Sequence, residues 1–281
     1  MKKIAILGAT GYIGRSLAHR ISLEKTWEVF LFSRSSNIEG IHNIIELKKY
    51  KYDVILNCTG IGNPQILRKS GVGIFKVTET MDSMLTDYLE KNPQTICIHM
   101  SSGAVYKKID PESITPADFY SIAKINSEAK HRALSHLNIV DLRVFAFFSR
   151  FIDVGLEFFM SDVVKCIQSK KTLETGREDM VRDYVCPEDL LSLIKKIISK
   201  KKINDFFDVY SKAPASKFEI LDFLKEKYGL KYKLKADFNK ISPTGNKKNY
   251  CSTNKKASIL GYIPKFSSIS GIENEIKSMK L

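Results

Sequence analysis

Tyr120 and Lys124 stand four residues apart in "FYSIAKINSEAK". A helix brings residues i and i+4 onto one face, about one turn apart. An ammonium can then approach a phenol, and a nearby positive charge favours the phenolate, so the pair can serve as an acid/base. Any surface helix can show the same spacing, so other features must decide. "GATGYIG" places Gly8, Gly11 and Gly14 directly after an apolar run and at the start of a helical stretch. Such a turn is tight, lets the backbone approach a pyrophosphate, and aims a helix N-terminus at the phosphates. It predicts dinucleotide binding. NAD sites usually carry an acid at the end of the second strand to hold the ribose 2′-hydroxyl; here the strand ends Phe32-Ser33-Arg34-Ser35. Arg34 can grip a 2′-phosphate with two parallel hydrogen bonds, and Ser33 and Ser35 can add donors. This favours NADP(H) over NAD; if Arg34 only stacks on the adenine, either cofactor is compatible.

The elements around these residues alternate. "KIAILGA", "WEVFLFSRS", "YDVILNCTG", "TICIHMSS" and "IVDLRVFAFF" read as strands, with helices at about 13–22, 77–91 and around Tyr120 between them. Alternation of this kind predicts a parallel sheet wrapped by helices on both faces. Beyond about Arg150 the order is mixed: helices at about 156–169 and 188–201, "DMVRDYVC" and "DFFDVYS" as extended segments, and "SKFEILDFLKEKYGL" as an amphipathic helix. Residues 231–281 are polar, with sparse apolar positions, and are expected to cover the C-terminal edge of the sheet. The fold class is α/β: a Rossmann-type doubly wound parallel sheet with a smaller mixed C-terminal substrate domain. The dinucleotide-binding part is assigned to residues 1–155, with returning elements near 181–211, and the substrate portion mainly to 156–281.

Composition removes several function classes. Hydrophobic residues are 43% and charged residues 27% of 281, a soluble globular balance, and no apolar run approaches the ~20 residues of a membrane span. The N-terminal run is too short and too glycine-interrupted for a signal peptide, so the expected location is cytoplasmic, with no membrane partner. Five scattered cysteines and five scattered histidines form no zinc or disulfide pattern, and no metal is assigned. The net charge of +14 is uneven: residues 1–160 carry 20 basic against 16 acidic side chains, residues 161–281 carry 25 against 15. A basic C-terminal part suits a small anionic substrate or cofactor. No aromatic RNA-binding signature interleaves with the lysines, so no nucleic acid partner is expected.

Taken in order, these motifs resemble the extended short-chain dehydrogenase/reductase family, in particular its nucleotide-sugar epimerase, dehydratase and reductase branch. "GATGYIG" matches the glycine turn and "YSIAK" the family's YxxxK. "YDVILNCTG" looks like the third cofactor-side strand, and "SSGAVY" like the strand carrying the catalytic Ser/Thr. "VRDYVCPEDL" resembles the Arg-Asp-Tyr segment near the substrate's nucleotide, and "TNKKASILGYIP" is similar to the C-terminal signature. The resemblance implies Tyr120 as acid/base on a hydroxyl or carbonyl oxygen. Lys124 would favour its phenolate and hydrogen-bond the nicotinamide ribose, and Ser102, four residues before Tyr106, would hold the same substrate oxygen, with Ser101 as the competing serine. The cofactor contacts it implies are Gly8, Thr10, Gly11, Tyr12, Ile13, Gly14, Ser33, Arg34, Ser35, Cys58, Thr59, Gly60, Tyr120 and Lys124. Those to a nucleotide-sugar substrate are Ser102, Tyr120 and Arg182, Arg177 being a weaker candidate and Arg143 as readily structural. Gly103-Ala104 stand where dehydratases carry Asp-Glu, which leaves an NADPH-dependent keto-sugar reductase serving surface-polysaccharide precursors, or an NAD-dependent 4-epimerase. A non-catalytic NADP-binding regulator is the alternative from another class; a full Ser102–Tyr120–Lys124 set argues against it. The resemblance also implies a homodimer through helices spanning 78–90 and 120–137. Cys58-Thr59-Gly60, Lys107 and "FAFFSR" depart from the family's pattern.

Overall fold

Short apolar strands buried on both faces form the centre of the molecule, and the helices between them supply the cover. The computed structural model describes residues 1–34, 38–62, 64–236 and 248–279. The first half runs β1 (Lys2–Leu7), α1 (Tyr12–Ser22), β2 (Trp27–Ser33), β3 (Ile41–Asn43), β4 (Val54–Asn57), α2 (Pro64–Ser70), α3 (Gly73–Lys91), β5 (Ile96–Ser102), α4 (Phe119–Ala133) and β6 (Ile139–Val144). The second half runs β7 (Ala146–Phe147), α5 (Phe159–Ser169), β8 (Thr172–Gly176), β9 (Val181–Arg182), β10 (Tyr184–Val185), α6 (Pro187–Ile198), β11 (Asp205–Val209), β12 (Ala215–Ser216), α7 (Lys217–Tyr228), β13 (Lys231–Lys235), β14 (Asn249–Tyr250) and α8 (Ser268–Ile276).

Seven strands pair in the order β11-β6-β5-β4-β1-β2-β3, every pairing parallel. The period-2 alternation of a strand divides β1 between two cores. Ile4 and Ile6 share one with Leu17 and Ile21 of α1 and with Leu190, Leu193, Ile194 and Ile197 of α6. Ala5 and Leu7 share the other with Met81, Leu85 and Leu89 of α3. This is a Rossmann-type doubly wound sheet. The chain leaves the central β1–β4 pair in opposite directions, and in such sheets the crevice at the carboxyl ends of the reversal strands is where ligands bind.

A third core, separate from the sheet, gathers Met160, Val163 and Val164 of α5, Ile220, Leu221 and Leu224 of α7, and Ile272 and Ile276 of α8 around Phe148 and Tyr184. Small pairings stitch this lobe together: β9 lies between β12 and β14, β10 pairs with β7, and β13 pairs with β8. Three features differ from the sequence reading. "DMVRDYVC" divides into two short strands with different partners. The expected polar tail holds a strand, β13, whose Lys233 and Lys235 ion-pair with Glu174 on β8, so lysines facing solvent concealed a paired ribbon. The edge strand β3 is only three residues long, too short to show a period.

Candidate active site

The glycine turn is built by close backbone approach. Gly8 has a left-handed φ of +72°, and a Cβ there would lie 2.8 Å from the Cys58 carbonyl oxygen. A Cβ on Gly14 would lie 2.2 Å from the Gly8 carbonyl oxygen, so only glycine lets α1 pack this tightly on the turn. The Gly11 N–H donates to the Gly8 carbonyl, and α1 opens after Gly11 with no side-chain cap and no acid in its first turn. First-turn N–H groups have no intrahelical acceptor, and with the helix dipole they form an anion cradle. The residues present therefore fit a dinucleotide pyrophosphate. Ile13 packs against the core, and Thr10 Oγ1 lies 3.1 Å from Ser33 Oγ, tying the turn to the end of β2.

The other expected cofactor residues divide by role. The Tyr12 side chain turns inward: its hydroxyl accepts the Ser149 N–H at 2.8 Å and donates to the Phe147 carbonyl at 3.4 Å. Burial pushes this phenol far up, and its hydroxyl is engaged within the chain. Arg34 is exposed at the end of β2, and Ser35 lies outside the described residues. The Cys58 thiol is pushed up to about 12 by burial; its carbonyl is what meets Gly8. Thr59 spends its N–H (3.1 Å) and its hydroxyl (2.5 Å) on Asn57 Oδ1, and Gly60 has open space around it.

Ser101 and Ser102 end β5 and point to opposite faces. Ser101 Oγ donates to Glu128 Oε1 at 2.6 Å, inside the buried Glu128–Arg143 ion pair. This engages the competing serine, and Arg143, in structure. Ser102 Oγ accepts the Ala104 N–H at 3.1 Å and lies 3.4 Å from the Tyr250 hydroxyl. Tyr120 is half-buried in the first turn of α4, and Lys124, one turn on, is buried with its ammonium donating to the Met100 carbonyl at 3.0 Å. The start of α4 is tethered by Asp118, which accepts from Thr115 N and Oγ1 and pairs with Lys107 at 2.7 Å. Arg182 is buried, with Nη1 donating to the carbonyls of Val181 (2.9 Å) and Lys248 (3.3 Å), and in the β9–β14 register it stands opposite Tyr250.

Tyr250 was not singled out from the sequence. Burial pushes its phenol up to about 12, with the nearby Tyr120 adding to the rise and the Ser102 hydrogen bond opposing it. Its ring packs on Phe145 (centroids 5.2 Å), which stacks on Tyr106 (5.9 Å). Phe145 also fills the space beside Gly103, where a Cβ would come within 2.5 Å of the ring. The only sequence signal for Tyr250 was its position just ahead of "TNKKASILGYIP". Among the described residues no group of acidic, histidine or cysteine side chains could hold a metal, and no helix is long and apolar enough to cross a membrane.

Comparison with known proteins gives the family and the fold. The model of the NAD dependent epimerase/dehydratase family matches residues 4–210. A GDP-6-deoxy-D-talose 4-dehydrogenase from Aggregatibacter actinomycetemcomitans is 23% identical over 242 residues, covering 80% of this chain and 79% of that protein. Among solved structures, a UDP-glucose 4-epimerase from Thermotoga maritima, solved with UDP-glucose, superposes with a TM-score of 0.78 at 18% identity, over 98% of this chain and 97% of the other. A dTDP-glucose 4,6-dehydratase from Bacillus anthracis, solved with NAD, gives 0.76 at 14% identity, over 99% and 96%. At these identities the structural likeness is one of fold.

Proposed function

The chain belongs to the NAD dependent epimerase/dehydratase family, enzymes of the extended short-chain dehydrogenase/reductase type, and on that premise we propose that it reduces the keto group of a nucleotide sugar, with NADPH as the preferred cofactor. The observation that carries the reading is the set of donors at the carboxyl end of β5. Ser102 Oγ already accepts the Ala104 N–H, so its own proton can turn to a substrate oxygen, and Tyr120 stands on the adjoining helix turn. When bound, the nicotinamide supplies the hydride. Tyr120 supplies the proton to the carbonyl oxygen, the Lys124 charge favours the phenolate left behind, and Ser102 holds the oxygen while negative charge develops on it. The first turn of α1 would hold the pyrophosphate and Arg34 the 2′-phosphate, with Ser33 fixing the strand end. Arg182, on the lobe we assign to the substrate, would meet the sugar nucleotide's pyrophosphate or ribose.

Gly103 argues against elimination chemistry, since the Phe145 ring occupies the space an acidic side chain would need there. A 4-epimerase that retains NAD is the second reading, favoured by the likeness to the Thermotoga enzyme. We extend the proposal to a cytoplasmic homodimer formed through α3 and α4, which pack side by side. Nucleotide analysis of the purified chain, followed by fluorescence titration with NADPH and NADH, separates the readings. Exchangeable NADPH preference and oxidation of NADPH by a 4-keto nucleotide sugar are the expected results. Tightly retained NAD with interconversion of 4-epimers would replace the reductase by the epimerase.

A further inference from the structure

His99 lies between Ile98 and Met100 on β5 and is 3% exposed, in a sheet interior where an apolar residue is the ordinary occupant. Beside it in register on β4 is Asn57, 0% exposed. Buried polar groups cost stability unless they are hydrogen-bonded, and these two form part of a chain. Thr59 N–H and Oγ1 both donate to Asn57 Oδ1. A backbone N–H can only donate, so the amide oxygen must face Thr59, which leaves Nδ2 to donate to His99 Nδ1 at 2.8 Å. With Nδ1 accepting, a neutral ring carries its proton on Nε2. Burial, reinforced by the charge of Lys124, holds the imidazole well below its ordinary value, so the ring is neutral. Lys124 Nζ stands 3.4 Å from His99 Nε2.

We propose that His99 is a positioning residue for Lys124: held in one tautomer by Thr59 and Asn57, it presents a proton-bearing edge that turns the lysine N–H groups away from the sheet interior, toward the Met100 carbonyl and the cofactor. The remaining groups packed near His99 belong to structural pairs. The His131 ring lies edge-on at 5.3 Å, its Nδ1 2.8 Å from Asp141, and Asp82 accepts from Ser127 and pairs with Lys130. Because Thr59 follows β4 at the reversal of the sheet, the chain joins a cofactor-facing loop to the lysine of α4. The inference rests on the assignment of Lys124 to the cofactor and not on the identity of the sugar.

The test is fluorescence titration of the full chain with NADPH and with NADH, in the wild type and in His99→Leu, His99→Asn and His99→Gln, each also in a Lys124→Ala background. A glutamine amide reaches the place of Nε2, whereas an asparagine amide reaches only that of Nδ1. His99→Leu and His99→Asn are expected to weaken binding about tenfold, and His99→Gln by less than about twofold. In the Lys124→Ala background all three are expected to match their parent, because a double-mutant cycle isolates the pairwise coupling. The proposal is overturned if His99→Leu binds as the wild type does, or if its loss persists without Lys124. A wild-type chain that binds neither nucleotide overturns it as well. Should His99→Leu fail to fold, the Gln–Asn contrast decides, equal affinities being the overturning result. Failure of the keto-sugar assay alone removes the proposed substrate and leaves this coupling intact.

Discussion

The two sides of the crevice are made of different material. The α1 side is backbone: a turn in which Gly8 and Gly14 exclude any Cβ, opening onto uncapped N–H groups. The α4 side is side chains brought from far apart: Ser102 and Tyr250 are 148 residues apart in sequence, yet their hydroxyls lie 3.4 Å from each other, and Arg182 is set opposite Tyr250 by strand pairing. A backbone cradle of this kind admits no side chain at Gly8 or Gly14, whereas a pocket of side chains can exchange its parts one at a time. The cradle thus suits a ligand common to a family, and the pocket one that differs between members.

The largest expected effect tests the cradle. Gly14→Ala puts a methyl 2.2 Å from a backbone oxygen that cannot step aside; the chain should lose about 3 kcal/mol of stability and its cofactor binding. Gly62→Ala, with nothing within 4 Å, is the control. Calorimetry of both variants checks this, and a Gly14→Ala chain that melts and binds like Gly62→Ala would break the contrast. Next comes Tyr120→Phe on the side-chain wall: kcat should fall about 10²–10⁴-fold while NADPH affinity stays within about twofold. A smaller step is Tyr250→Phe, which keeps the ring against Phe145 and removes the hydroxyl facing Ser102. Here kcat should fall about tenfold with cofactor affinity unchanged, and the effect should vanish in a Ser102→Ala background. A full Tyr250→Phe loss in that background would mean that Tyr250 acts elsewhere.

The same contrast explains what could be read from the sequence. "GATGYIG" was legible because a cradle made by missing side chains writes itself as glycines at fixed spacing. The parallel sheet was legible because strands buried on both faces read as continuous apolar runs, as at Ile4–Leu7 and Val54–Leu56, all unexposed. Tyr250 was not legible, because its place beside Ser102 depends on β14 pairing with β9 and no local pattern encodes that register. β13 was missed because "KYKLK" buries little and is held by pairing and by Glu174 rather than by an apolar face. His99 and Asn57 were overlooked for the opposite reason: each sits inside a run so apolar that the strand is evident and the polar residue reads as an exception. Ser102 could be preferred over Ser101 only by resemblance; the structure adds that Ser101 is engaged by Glu128.

The smallest expected effect sits at the entrance to the side-chain wall. Lys107, where the family usually has glycine, pairs with Asp118 at the start of α4. The Lys107 hydrogen bond first, and then those from Thr115, hold the Asp118 carboxyl down at about 2. A carboxylate depressed in the folded state adds stability that is complete above its unfolded value, ~3.9, and is lost as pH falls through the folded one. The Lys107 side chain is 33% exposed, so solvent screens the pair and Lys107→Ala should lower Tm by only about 1 °C at pH 7. That difference should shrink from about pH 4 downward and close near about pH 2, and high salt should reduce it at every pH. Parallel melts of the two chains across this range measure it. A deficit that is constant with pH would show that Lys107 steadies α4 through its hydrogen bond to the Ala117 carbonyl or its stem rather than through the Asp118 ion pair.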